Sequence, residues 1–182
     1  MLEITVTNRI KRIKKILREF NNRNLPGSGD YATIKEVDVT KIYDFGNYPS
    51  DFQQFVLEVG YLELATCGYA ALHVDYPIQV SDVLSNRDLL VQDDRLVEFV
   101  VHEGRGPEDE LIGALPAEVA KDPERFVIVA AWPCGYEVMG FDLSVQPYRP
   151  LNYFGNFIPE YGATFLDFVE YEINNNPNLP DL

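Results

Sequence analysis

Read for its apolar positions, the chain divides into patterned segments separated by polar stretches. Val6, Ile10, Ile13, Leu17 and Phe20 recur at helical spacing and fall on one face, with Arg9, Lys11, Arg12, Lys14, Lys15 and Arg18 over the remainder. Thr7 offers an N-cap hydroxyl, and Asn21, Asn22 and Asn24 followed by Pro26-Gly27-Ser28-Gly29 close the helix and open a loop. A basic amphipathic helix can lie on a membrane or in an acidic groove. Five large apolar residues in regular register are also what a helix docked on its own core needs, and docking is the stronger expectation.

Residues 30–47 read as irregular, compatible with a helical turn at Ile34–Val37 or a strand at Val37–Tyr43. Pro49 suits the first turn of a second helix, where its missing N–H costs nothing. Phe52, Phe55, Val56 and Val59 form the buried stripe of that helix, and Gly60 is placed to end it. Tyr61–Ala65 and Tyr69–Val74 read as paired strands, and Ser81 can cap a short helix over Asp82–Ser85. Residues 86–125 carry little pattern: Leu96–Val101 fits a strand or a helix end, His102–Glu110 is a polar loop, and Pro116–Lys121 allows one or two helical turns. Phe126–Trp132 is a nearly continuous apolar run between Pro123 and Pro133, as in a strand buried on both faces. Strands over Glu137–Leu143 and Tyr148–Phe154 follow. A last helix starts near Thr164, carries Phe165, Phe168 and Val169, and is stopped by Asn174-Asn175-Asn176-Pro177. The expected architecture is a single α+β domain over residues 1–182, an antiparallel-rich sheet with helices on one side, a basic helix at 1–23 and a flexible tail at 174–182.

Composition agrees with one packed domain: 182 residues, 46% of them hydrophobic, with 11 Phe, 11 Tyr and one Trp. No apolar run is long enough to span a bilayer and no apolar stretch follows the N-terminal charges, so a cytoplasmic protein is expected. Charge changes the picture more. Residues 1–23 carry +5 and residues 24–182 carry −19, for a total of −14. Such a body repels phosphate backbones, which argues against nucleic acid as a partner, and attracts a basic protein.

Acidic residues cluster at Asp93-Asp94, Glu103, Glu108-Asp109-Glu110, and Glu58 with Glu63. Each cluster is either a solvated face or part of a capture surface. Trp132 at a strand end is either a half-buried core residue or an interface anchor. The candidate partner-binding set is therefore Asp93, Asp94, Glu103, Glu108, Asp109, Glu110, Trp132 and Glu137. Catalytic patterns are weaker. His73 and His102 stand in no metal-ligating motif, and a zinc site with Cys67 and Cys134 would need long-range convergence. Nucleophile-elbow, phosphate-loop and dinucleotide fingerprints are absent from the sequence, so no cofactor is expected. A carboxylate-pair hydrolase stays open among 29 acids.

Three separated blocks resemble one family. Pro49, Phe52, Phe55, Val56, Leu57 and Gly60 form a proline-led helix ending in glycine; Ile128-Val129-Ala130, Gly135 and Phe141-Asp142 form a buried strand, a turn and a strand ending in hydrophobic-Asp; Thr164, Phe165 and Phe168 open a closing helix. In this order they resemble the SUKH superfamily of yeast cell-wall-synthesis regulators and bacterial toxin-immunity proteins. The resemblance spans roughly residues 45–172, interrupted over 86–125. It departs where Tyr61 follows Gly60 in place of a second glycine, and where Gly135-Tyr136-Glu137 stands for a Gly-Asp turn. The resemblance implies a non-enzymatic protein-binding domain without cofactor. Its expected role is immunity against a basic toxin domain, such as a nuclease, with a regulatory scaffold as the alternative.

Overall fold

The computed structural model describes residues 5–23, 29–37, 45–66, 69–85, 122–132, 137–146, 148–153, 164–176 and 179. Its elements run α1 (Val6–Arg23), β1 (Tyr31–Lys35), α2 (Ser50–Glu58), β2 (Tyr61–Thr66), β3 (Tyr69–Gln79), α3 (Val80–Ser85), a 3-10 turn (Pro123–Arg125), β4 (Phe126–Trp132), β5 (Glu137–Asp142), β6 (Arg149–Tyr153) and α4 (Phe165–Asn174). The six strands form one antiparallel sheet whose spatial order is their sequence order. This is the expected α+β architecture.

The apolar stripe of α1 is docked: Ile10, Ile13, Ile16, Leu17 and Phe20 are buried. Its first turn begins two residues earlier than an N-cap at Thr7 implies. The Thr5 carbonyl accepts from the Asn8 and Arg9 amides, while the Thr7 hydroxyl instead accepts from Gln54 Nε2 on α2 at 2.8 Å. Pro49 likewise sits one position outside the expected first turn, as the N-cap of α2. Gly60 ends that helix at φ +97°, and a Cβ there would lie 2.4 Å from the Lys35 carbonyl oxygen of β1. Both the left-handed backbone and the close strand approach thus require glycine.

α1, α2 and α4 close over one face of the sheet. Between them and Leu62, Leu64, Leu72, Val74, Ala130, Met139 and Phe141 lies a single apolar cluster. Phe52 is at its heart, with ring centroids 5.1–5.7 Å from Phe45, Tyr48, Phe141 and Phe165. The pairs with Phe45, Phe141 and Phe165 are edge-to-face, an arrangement that adds about 0.5–1.5 kcal/mol each beyond the area buried. The N-terminus of α4 is fixed twice. Thr164 and Asp167 form a reciprocal capping box, and the buried Asp51 of α2 accepts from the Leu166 amide at 3.0 Å. Arg9 of α1 then donates to Asp167 and to both oxygens of Glu170, tying the first helix to the last. Leu179, within the expected tail, is buried and its amide donates to the Asn176 carbonyl.

The opposite face of the sheet is also covered in part. Phe126 and Ile128 alternate with Val127 along β4 and are buried outside the main cluster, as is His73, which faces Glu63 and Ala131 in the ladder. Strand β1, read from sequence as irregular, pairs with β2 over its whole length at the sheet edge. Only Ala32 of its five residues is buried, so no alternation marks it as a strand.

Candidate functional site

Most of the partner-binding residues singled out in the sequence fall outside the described part of the chain: Asp93, Asp94, Glu103, Glu108, Asp109 and Glu110. Trp132 and Glu137 are brought directly opposite one another by the β4–β5 pairing, and their backbone alone is described. Glu58 and Glu63 are engaged within the protein. Glu58 Oε1 accepts from Gln54 and its carbonyl from Lys14, while Glu63 accepts from the Tyr31 hydroxyl at 2.8 Å. Among the described residues no group of three or more His, Cys, Asp or Glu is arranged to hold a metal ion. His102, Cys67 and Cys134 lie outside them.

Among the described residues of the sheet, the fully buried carboxylate is Asp142, at the end of β5. Its position is set by the ladder, which places it between Phe126 of β4 and Arg149 of β6. Arg125 grips it with both Nε, at 2.7 Å, and Nη2; Arg149 Nη2 adds a contact at 3.0 Å and the Ser144 amide one at 2.9 Å. Arg125 also lies over the Phe126 ring, 5.1 Å from its centroid. The hydrogen bonds from Arg125 outweigh the cost of burial and hold the carboxyl well below the usual carboxylate range. A carboxylate so saturated is a poor proton acceptor and has no lone pair left for substrate. Its work is structural, joining β4, β5 and β6 at one end of the sheet.

A second feature is an open cleft. Pro77 cannot donate to a ladder, and strands accommodate proline at bulges. β3 bulges here: Val74 faces Ala130 and Ile78 faces Ile128, so β3 carries two extra residues over the span. Tyr76, on the bulge, turns its ring toward Phe45 at 5.7 Å and toward Tyr61 at 6.5 Å. Phe45 and Tyr48 approach from the turn before α2, where the Tyr48 amide donates to the Phe45 carbonyl and their rings meet edge-on at 5.4 Å. That turn is pinned to the sheet because the Tyr148 amide donates to the Asn47 carbonyl at 3.1 Å.

The resulting cleft, about 350 Å³, is lined by these three rings with Pro77, Ile78 and Val127, and its polar members are Gln79 and Asp82. Phe45 is buried, whereas Tyr76 is 36% exposed and Asp82 is exposed, so the cleft opens on their side. Gln79 Oε1 is buried and accepts no hydrogen bond. Among the described residues the lining includes one acid and no Lys or Arg. Sequence reasoning missed this site because it ended the strand at Val74. The available signal was Tyr76-Pro77 followed by the β-compatible Ile78-Gln79-Val80.

No protein-family model, no curated protein and no solved structure matches the chain. The likeness to the SUKH superfamily rests on the sequence pattern.

Proposed function

We propose that this is a non-enzymatic domain that binds a basic protein, and that its role is immunity: occlusion of a cationic toxin domain, of nuclease type, by an acidic surface. The observation that carries the reading is the charge separation along the chain, −19 over residues 24–182 against +5 over residues 1–23. The positive segment is docked on the body by its apolar face, with Arg9 paired to Asp167 and Glu170 and Lys14 donating to the Glu58 carbonyl, while Lys11, Arg12, Lys15, Arg18 and Arg23 stay exposed. The larger acidic charge of the remainder supports fast association with a cationic surface. Among the described residues, no helix is long and apolar enough to cross a membrane.

The test is affinity capture from the native lysate at low and high salt, followed by reconstitution of any captured domain with purified protein. Recovery of a basic domain that dissociates at high salt, and whose activity is inhibited on rebinding, is the expected result. Joint charge reversal of Glu108, Asp109 and Glu110 is expected to weaken that complex and flatten its salt dependence. A partner that is acidic or neutral, or whose binding does not respond to salt, would sink the reading; a basic partner bound without inhibition moves the role to a regulatory scaffold.

A further inference from the structure

We propose that the outer edge of β1 is a pairing surface for β1 of a second copy of this chain, and that Asn21 guards it.

β1 is the outermost strand in the sheet order and pairs along one side with β2. Ala32 shows which of its backbone groups point the other way. The Ala32 amide donates to Asn21 Oδ1 and its carbonyl accepts from Asn21 Nδ2, both at 2.8 Å, so these groups face away from β2. By the alternation of an antiparallel ladder, Tyr31, Thr33 and Lys35 bond to β2, while Ala32 and Ile34 present their amides and carbonyls outward. The Asn21 side chain thus makes, with one amide group, both bonds that a residue of a further strand would make. It comes from the last turn of α1 and is itself exposed, so solvent can receive it when it lets go.

An open strand edge is a template for another chain, and natural folds block such edges with specific devices. β1 has the composition of a strand worth blocking. Tyr31 and Ile34, 43% and 47% exposed, are two of the five large apolar side chains that stand exposed among the described residues. The strand carries a single charge, on Lys35.

A second copy of β1 is the occupant that fits. Antiparallel pairing centred on Thr33 sets Ala32 of each copy opposite Ile34 of the other. The outward residues then face one another, each pair exchanging both of its hydrogen bonds across a two-fold axis. Tyr31 meets Lys35 of the second copy, a ring against an ammonium. Every hydrogen-bonded pair in this register needs an Ala32, so Asn21 closes the whole ladder by holding that one residue.

The test is sedimentation velocity over a range of concentrations for the native full chain, Asn21→Gly and Asn21→Asp. Asn21→Gly removes both bonds and loosens the last turn of α1; Asn21→Asp keeps an acceptor for the Ala32 amide but sets an anion against the Ala32 carbonyl. Asn21→Gly is expected to dimerise at least about tenfold more tightly than the native chain, with Asn21→Asp between them. Each copy carries −14, so added salt strengthens this dimer, the reverse of its effect on a complex with a basic partner. Thr33→Cys, added to either variant, reports the register. Position 33 then faces its own copy in a non-hydrogen-bonded pair, and an intermolecular 33–33 disulfide is expected by peptide mapping. Monomers only, with the native circular dichroism retained, would overturn the proposal, as would dimers without that disulfide. Native protein dimerising as readily as both variants would remove Asn21 as the guard. Loss of the fold in both would also overturn it, by making Asn21 a structural tether.

Discussion

Replacing Asp142 with Asn removes one negative charge while keeping the shape of the side chain, and the structure sets the size of the response. The carboxylate is wholly buried and receives four hydrogen bonds, three from Arg125 and Arg149 and one from the Ser144 amide. Asn can accept at one atom only, and its NH₂ would face guanidinium donors. Breaking a buried pair costs about 3–5 kcal/mol. The two arginine side chains are 31% and 52% exposed, so both can regain water, which places the cost near the lower end, about 3 kcal/mol. For a chain of this size that corresponds to a fall in Tm of roughly 6–12 °C. The pH dependence supplies a second, independent check. The folded carboxyl titrates below the ordinary value of 3.8, chiefly because Arg125 hydrogen-bonds the charged form. Its stabilisation is therefore fully present above the ordinary value and is lost as pH falls through the lower, folded one. Urea unfolding of both proteins should show a constant gap between about pH 7 and 5 that narrows below about pH 4. A gap under about 1 kcal/mol at neutral pH, or one that does not narrow in acid, would refute the account of Asp142 as a saturated structural carboxylate.

Two further perturbations probe how the helices are held. Gly60→Ala forces a Cβ to within 2.4 Å of the Lys35 carbonyl at a φ of +97°, and a loss of about 3 kcal/mol in urea unfolding is expected; under about 1 kcal/mol would mean that β1 is free to shift. Arg9→Ala removes three charge-assisted hydrogen bonds from a side chain that is 18% exposed, for an expected loss of about 1–2 kcal/mol that shrinks at high salt, with Arg9→Lys restoring only part of it; full recovery in Lys would show that charge alone matters.

What the sequence made legible follows from where burial was decided locally. The α1 stripe, the Phe52–Val59 stripe and the Phe126–Trp132 run are repeated apolar choices at one period, and each became the element its period implies. Thr164 and Asp167 identify the start of α4 by the same logic, since two residues three apart satisfy two helix-end donors. Where a residue answers to partners distant in sequence, the pattern fails. Strand β1 exists because β2 offers it a ladder, and four of its five side chains face water. Asp51 looks like a surface acid in the first turn of α2, but its oxygen caps a helix that begins more than a hundred residues later. Asp142 was noticed as the end of a strand motif, while its two arginines, one before β4 and one in β6, carry no signal that they converge.

The cleft belongs to this second class, and it shows why a surface built from irregular backbone is harder to read than a core. Its rings come from a turn and a bulge, neither of which has a period, and the strand read from sequence ended at Val74. The ladder instead resumes at Ile78, after β3 has advanced four residues against two of β4. The bulge therefore places Tyr76 and Gln79 around one space with Phe45, at a position that no local period marks.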